Sequence, residues 1–308
     1  MCLAFHIHSV YLTIMLSRVA ALFALSAVLA APAAAAPCAR DVGAICAGGA
    51  ALTEAEMIDR LRAADIVILG ERHDNPAHHR WQAKIVGALA PKGLAFEMIP
   101  RSREAIANEA RARGADLGAA LDWAHSGWPD WALYAPIFAA APEARIAGGG
   151  VERAALTAAV KDGAARAFGA GAARYRLEER LPESVIDDML AEQKAAHCDA
   201  LPEAMLPGMV EAQQLRDAAF ADAALRLVEA GHAPAALIAG NGHARADRGA
   251  PLYLRRAAPA LRVSSVGMIE VGRDEAAGDG ALFDIAIYTE PFDRGDPCAD
   301  FIESRQKP

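Results

Sequence analysis

The feature that most constrains the fold is an apolar run that changes abruptly into a polar, histidine-containing turn. Residues 66–69 read Ile-Val-Ile-Leu, which is typical of a short buried strand. Glu71 and His73 follow within four positions, and Asn75 and Pro76 then fit the start of a helix, because Asn is a good N-cap and Pro suits the first helical position. Ligands of open α/β sheets bind at the carboxyl ends of strands. We therefore expect this turn to belong to a site.

The same arrangement recurs late in the chain. Residues 235–239 are apolar, and Gly240 and His243 follow them with the spacing that Gly70 and His73 have in the first turn. A single histidine after a strand is usually structural. Two G-x-x-H turns, each ending an apolar strand, instead indicate a shared site.

A carboxylate occurs between the two turns, inside the apolar run 93–99. Glu97 is costly to bury there unless it is paired or binds a cation, so it is either a structural ion-pair partner or a site residue. With His73 and His243 it makes a set that suits a divalent transition metal. Such a metal would activate water for hydrolysis, and Glu71 completes the catalytic candidates. No G-x-S-x-G elbow is present, which argues against a serine hydrolase.

The remaining pattern predicts an α/β fold. Further strands are predicted at three apolar runs, residues 145–151, 261–271 and 282–290. Helices are predicted after Thr53, over 101–122 and from 252 to 256, and helical patterns dominate 156–230. We expect one α/β domain, residues 37–291, with a mainly parallel sheet flanked by helices and a helical insertion, about 156–230, that caps the carboxyl edge. The polar tail, 292–308, is expected to be loose.

The start of the chain predicts export. An apolar run at residues 20–29 precedes small residues at 30–36, as in a secretory signal peptide. We assign residues 1–36 to this signal, with Met15 as the expected true start. The location implied is the periplasm or cell envelope. A lipid anchor at Cys38 is not expected, since proline rather than a small residue precedes it.

Cysteine positions and charge narrow the context. Export makes disulfides plausible, and the positions allow either Cys38–Cys46 or a bridge from this pair to Cys298. For Cys198, which lies beside His197, a free thiol is one expected state. The formal net charge of −8, with no basic run, argues against a nucleic-acid partner.

An aromatic stretch, residues 121–138, holds three of the four tryptophans. It is either a packed corner or a surface for a flat apolar ligand. Haem needs an axial ligand, usually His, Tyr, Met or Cys, and an apolar slot. The candidates are Tyr134, His125, His197, Met205 and Met209. Gln213 and Arg216 interrupt an apolar helical stripe, so they form either a buried network or a helix face turned to the site.

Taken together, these motifs resemble the ChaN-like family of haem-binding uptake proteins, within the Tiki-like superfamily. The resemblance covers residues 50–255. It is carried by segments 70–82, 96–98, 134–138, 197–198, 209–221 and 238–251. The mark of the superfamily is a pair of G-x-x-H turns with an acidic residue between them, here Gly70 to His73, Glu97, and Gly240 to His243.

The resemblance implies two functions of different classes. The favoured one is an exported haem-binding protein for haem or iron uptake, with an envelope transport system and a second copy of the chain as expected partners. Tyr134 is the first choice of axial ligand, because phenolate binds ferric haem well, and His197 is the second. The other expected haem-binding residues are His125, Met209, His78, Gln213 and Arg216.

The alternative is a metal-dependent hydrolase, a peptidase or esterase, with a divalent transition metal on His73, Glu97 and His243. A third possibility is a scaffold whose G-x-x-H turns only brace loops, with neither metal nor haem.

Overall fold

The computed structural model describes residues 36–273, 282–296 and 298–299. The strands are β1 Ile45–Ala47, β2 Ala50–Ala51, β3 Ile66–Glu71, β4 Gly93–Pro100, β5 Arg145–Gly150, β6 Ala235–Gly240, β7 Val263–Glu270 and β8 Ile285–Thr289. The helices are α1 Glu54–Arg62, α2 Pro76–Leu89, α3 Glu104–Ala112, α4 Leu117–Ala120, α5 Trp131–Ala140, α6 Arg153–Asp162, α7 Ala164–Phe168, α8 Glu183–Ala196, α9 Leu206–Glu229, α10 Asn241–Ala244 and α11 Ala250–Ala257. The predicted signal peptide, apart from its last residue, lies outside the described residues.

The strands form one sheet in the order β2-β1-β8-β7-β3-β6-β4-β5. The six strands from β8 to β5 run parallel, and β1 and β2 add an antiparallel edge. The expected mainly parallel α/β fold is therefore confirmed. The short β1–β2 hairpin has no apolar run of strand length and was not predicted.

Helices cover both faces of the sheet. Residues of β3 alternate between two apolar clusters, with Ile66 and Ile68 in one and Val67 and Leu69 in the other. The first cluster includes residues of α6, α7, α9 and α11, and the second includes residues of α1, α2, α3 and α5. A strand buried on both faces explains the uninterrupted apolar run in the sequence. Among the described residues, no helix is both long enough and apolar enough to span a bilayer.

Local signals placed the first helices correctly. Thr53 and Glu56 form a capping box at the start of α1. The Asn75 side chain accepts a hydrogen bond from the backbone of Ala77, and Pro76 is the first residue of α2. The expected helix over 101–122 is wrong as a single element, because a turn at 113–116 separates α3 from α4.

The segment between β5 and β6 is helical, as predicted, but its helices differ in position. α9 packs along the sheet as an ordinary crossover helix. α8 instead borders the carboxyl edge, where it contributes one fully buried residue, Met189. The cap at the site is therefore mainly α8.

The disulfides agree with one open pairing and correct two other expectations. Cys38 bonds to Cys46, which was one of the open pairings. Cys198 is not free, because it bonds to Cys298 across 100 residues of sequence. That bond and the ion pairs of Arg294 also fix the described part of the C-terminal tail, which was expected to be loose.

Candidate functional site

The two G-x-x-H turns meet because β3 and β6 are neighbours in the sheet. Their register pairs Glu71 with Gly240, so His73 and His243 leave the sheet side by side. β4 lies on the other side of β6, and Glu97 Oε2 accepts a hydrogen bond from the backbone of Gly240 at 2.7 Å. The expectation that these residues share one site at the carboxyl edge agrees with the geometry.

His73 is held from below by a buried carboxylate. Its Nδ1 donates to Glu71 Oε1 at 2.8 Å, and its Nε2 lies 3.9 Å from Glu97 Oε2. Burial alone would lower the pKa of His73, but the hydrogen bond to Glu71 and the charge of Glu97 outweigh it and raise the pKa to about 9. The side chain keeps 33% of its surface exposed, and the edge of the Trp128 ring packs against it. His73 is thus an oriented imidazole that still reaches solvent.

His243 has a matching arrangement. Its Nδ1 donates to Asp217 Oδ1 of α9 at 2.6 Å, and its Nε2 lies 3.6 Å from Glu97 Oε1. Burial lowers the pKa of His243, but the charges of Glu97 and Asp217 outweigh that effect and raise it. Burial raises the pKa of Asp217 to about 6 despite the opposing effect of His243. The Gln213 amide lies 3.2 Å from the same Nδ1.

The result is an alternating row of acid, imidazole, acid, imidazole and acid. Glu97 stands at its centre, with the Nε2 atoms of His73 and His243 facing its two oxygens. Each imidazole is oriented by a carboxylate on its other nitrogen, as is common for metal-binding histidines. Within the described part of the chain, however, no three His, Cys, Asp or Glu side chains are placed closely enough to hold a metal ion. The metal set stays a prediction.

A cleft opens above this row. Its volume is about 630 Å³, within the usual range for small-molecule sites. The floor carries both G-x-x-H turns. The walls come from α8 with Glu192, Gln193 and Ala196, from Leu282 and Phe283, and from Arg294 of the tail. Apolar and charged side chains therefore both line the cleft.

Tyr134 lies beneath the cleft. It is fully buried on α5, and its hydroxyl donates to Glu71 Oε1 at 3.0 Å. Burial and the charge of Glu71 raise the pKa of Tyr134 far above its usual value. Both observations disfavour the phenolate that an axial ligand requires, so the geometry gives Tyr134 a supporting role under Glu71.

The other expected haem-binding residues fall into three groups. Gln213 lines the cleft, and Arg216 is close enough to oppose the rise in the pKa of His243. His78 is buried, and its two ring nitrogens bond to the backbone N–H of Arg72 and to Thr289, so it braces the turn. Met209, His125 and His197 do not line this cleft.

His125 and His197 have local partners instead. The His125 side chain is 81% exposed, bonds to Asp122, and lines a separate cavity of about 180 Å³ together with Trp123 and Trp128. The His197 Nδ1 donates to the backbone oxygen of Gln193. Neither histidine therefore joins the site formed by the two turns.

Two groups near the site were not anticipated. His79 is buried, donates from Nε2 to the backbone oxygen of His73, and places Nδ1 3.2 Å from Glu71 Oε2. The sequence places His79 in the helix after Pro76, but it does not show that the His79 side chain turns towards Glu71. Arg294 reaches the cleft from the tail, and no local pattern signals this.

Comparisons with known proteins agree with this fold. A family model described as haem-binding uptake, Tiki superfamily, ChaN matches residues 57–254. The solved structure titled "Cofacial heme binding to ChaN of Campylobacter jejuni" is similar at 20% identity with a TM-score of 0.62, covering 79% of this chain and 95% of that chain. A type III effector, HopBA1, gives a TM-score of 0.43 at 13% identity, covering 77% of this chain and 93% of that chain. No curated protein sequence matches.

The ChaN structure of Campylobacter jejuni supports the fold alone, because its sequence identity is low. The family model is stronger evidence, since it spans more than half of the chain and includes both G-x-x-H turns and Glu97. The chain belongs to the ChaN family of haem-binding uptake proteins in the Tiki superfamily.

Proposed function

We propose that this protein binds haem in the cleft above β3 and β6 and serves haem or iron uptake. The observation that carries the proposal is His73, an oriented and partly exposed imidazole at the floor of a cleft of about 630 Å³. Histidine is a common axial ligand of haem iron. The similar ChaN structure of Campylobacter jejuni is titled for cofacial haem binding, which supports the same class of ligand here.

His73 replaces Tyr134 as the residue that we expect to meet the iron. His73 lines the cleft and keeps 33% of its side-chain surface exposed, whereas Tyr134 is fully buried and its hydroxyl donates to Glu71. Haem supplies a ligand-binding iron and a flat apolar ring when bound. The chain contributes the imidazole, the apolar contacts of Leu282 and Phe283, and the carboxylate that orients the ring of His73.

The test is a titration of the purified protein with ferric haem, followed by its Soret band. We expect saturable binding that His73→Ala weakens by at least about tenfold, the smallest loss we would assign to an iron–imidazole bond. Tyr134→Phe tests the alternative, made from the sequence, that Tyr134 is the axial ligand. His125→Ala is a matched control for loss of a histidine outside the cleft. Unchanged affinity in His73→Ala would reject the ligand assignment, and absence of saturable binding would reject haem as the ligand.

Export is part of the same proposal. Two disulfides in one chain favour an oxidising compartment, which agrees with the signal peptide pattern. The proposed partners are an envelope haem or iron transport system and a second copy of the chain. Sedimentation with and without haem tests the proposed homodimer. A monomeric mass in both states would reject it.

A metal-dependent hydrolase is the second candidate. The observation that favours it is the convergence of the His73 and His243 Nε2 atoms on Glu97, with a carboxylate behind each ring. Calorimetry with Zn²⁺ and Mn²⁺ on the same preparation tests it. Binding that His243→Ala abolishes and His125→Ala preserves would support this candidate, and no binding in the parent protein would reject it.

A further inference from the structure

The C-terminal tail forms one wall of the cleft. Arg294 lines it, donates from Nε to Asp74 Oδ2 at 2.7 Å, and forms a two-pronged ion pair with Glu270 at 2.9 and 2.5 Å. Only 15% of its side chain is exposed. Because two carboxylates neutralise this guanidinium, its role is to dock the tail rather than to bind an anion.

The docking point is coupled to the site turn. Glu270 ends β7, is fully buried, and also accepts from the Asn75 side chain at 2.7 Å. Asn75 is the N-cap of α2 and follows His73 by two positions. The tail, the end of β7 and the first G-x-x-H turn therefore share one hydrogen-bonded network.

A second wall is α8, and this helix buries few of its residues. Met189 is the only fully buried residue of this helix among those described, and it belongs to a small cluster with Leu181 and Val210 that is separate from the two main cores. Val185, Ile186 and Leu190 of α8 pack against this cluster but are only partly buried. Ion pairs from Arg248 to Asp188 and Glu192 add to the attachment. A helix with so little buried apolar area opens readily unless something else holds it.

The Cys198–Cys298 disulfide joins the two walls. Cys198 follows α8 by two positions, and Cys298 lies four positions after Arg294. A covalent bond that closes so long a loop strongly limits independent motion of the segments that it links. Of the two linked segments, α8 and Cys198 lie within the residues 57–254 that match the family model, and the tail lies after them.

We propose that residues 291–296 and 298–299 form a strap that closes the haem cleft together with α8, and that the Cys198–Cys298 bond locks it. A dithiol reductant would open the lock. It gives up two electrons and two protons and becomes a disulfide, while the Cys198–Cys298 bond breaks to give two thiols. α8 then moves away from the strap, and haem exchanges faster. This last step rests on the proposed haem function.

The first experiment needs no haem. Hydrogen exchange would be compared in the parent protein, in Cys198→Ser/Cys298→Ser and in the matched control Cys38→Ser/Cys46→Ser, which removes the other disulfide. We expect exchange in residues 183–196 and 291–296 to become about tenfold faster in the first double variant only. Equal exchange of α8 in all three proteins would overturn the strap.

The second experiment measures release of bound haem to an excess of a haem-scavenging apoprotein. We expect dissociation about tenfold faster in Cys198→Ser/Cys298→Ser, and in the parent after dithiol treatment, because affinity changes of this kind are mostly in the dissociation rate. An unchanged rate would overturn control of haem exchange by the bond. A protein that takes up no haem would overturn the proposed function, while hydrogen exchange still decides the strap.

Discussion

Haem binding through His73 should depend steeply on pH. An imidazole must lose its proton before it can bind iron, and the hydrogen bond to Glu71 together with the charge of Glu97 raises the pKa of His73 to about 9 despite its burial. At pH 7 only about 1% of His73 is then neutral, against about half at pH 9. Since apparent affinity scales with the competent fraction, we expect it to rise about 50-fold between these two values.

The assay is the Soret titration repeated in steps from pH 6 to pH 9.5. The parent protein and His125→Ala, which changes a histidine outside the cleft, should show the same rise, whereas His73→Ala should bind weakly at every pH and without this slope. A parent affinity that is flat between pH 7 and pH 9, or a slope that survives in His73→Ala, would refute the reasoning.

The same pKa shift should make the fold less stable as pH rises, whereas it makes haem binding stronger. A folded-state pKa above the unfolded value of about 6.5 stabilises the fold fully below that pH, and this contribution is lost as pH rises through about 9. Urea unfolding of the parent and of His73→Ala over the same range measures it. At high pH we therefore expect tighter haem binding together with a less stable apoprotein. This combination distinguishes binding through His73 from a general increase in stability.

Three further predictions concern packing and the tail. Gly148→Ala should lower the free energy of unfolding by about 1–3 kcal/mol, because a Cβ there would lie 2.6 Å from the Pro100 carbonyl oxygen. The control Gly87→Ala, on α2 with 3.8 Å of room, should leave stability equal or raise it by about 0.5–1 kcal/mol, and equal losses in both would contradict the packing argument. Asn75→Ala should cost about 1–2 kcal/mol in urea unfolding, since it removes the cap of α2 and a donor to Glu270. Hydrogen bonds from Arg294 and Asn75 outweigh burial and lower the pKa of Glu270 to about 2. The ionised Glu270 should therefore stabilise the fold above about pH 4.5, and this stabilisation should be lost as pH falls towards 2. A free energy of unfolding that does not change over that range would contradict this prediction.

Much of the fold was predictable because its signals are local. The apolar run before Glu71 marks a strand buried on both faces, and the Asn75-Pro76 pair marks the start of α2. The repeated G-x-x-H spacing then placed His73 and His243 at one edge of the sheet. Parallel strands put their carboxyl ends on the same side, so this inference needed no knowledge of strand order.

Residues outside those patterns were harder to place. Tyr134 was the first choice of axial ligand because it is a phenol in an aromatic stretch, yet α5 turns it into the core under Glu71. Cys198, next to His197, was expected to be able to stay free, and its bond to Cys298 joins positions 100 residues apart that no local pattern relates. Helical spacing left Gln213 either in a buried network or facing the site, and only the position of α9 beside His243 puts it at the cleft.

The sequence by itself determined the α/β class, the order of its main elements and the pair of histidines at the sheet edge. These follow from hydrophobic periodicity and turn chemistry, which act over a few residues. Tertiary structure alone decided which carboxylate orients each histidine, that Tyr134 is buried, and that the tail docks through Arg294. Those outcomes depend on strand order and helix direction, which bring together side chains that no local pattern relates.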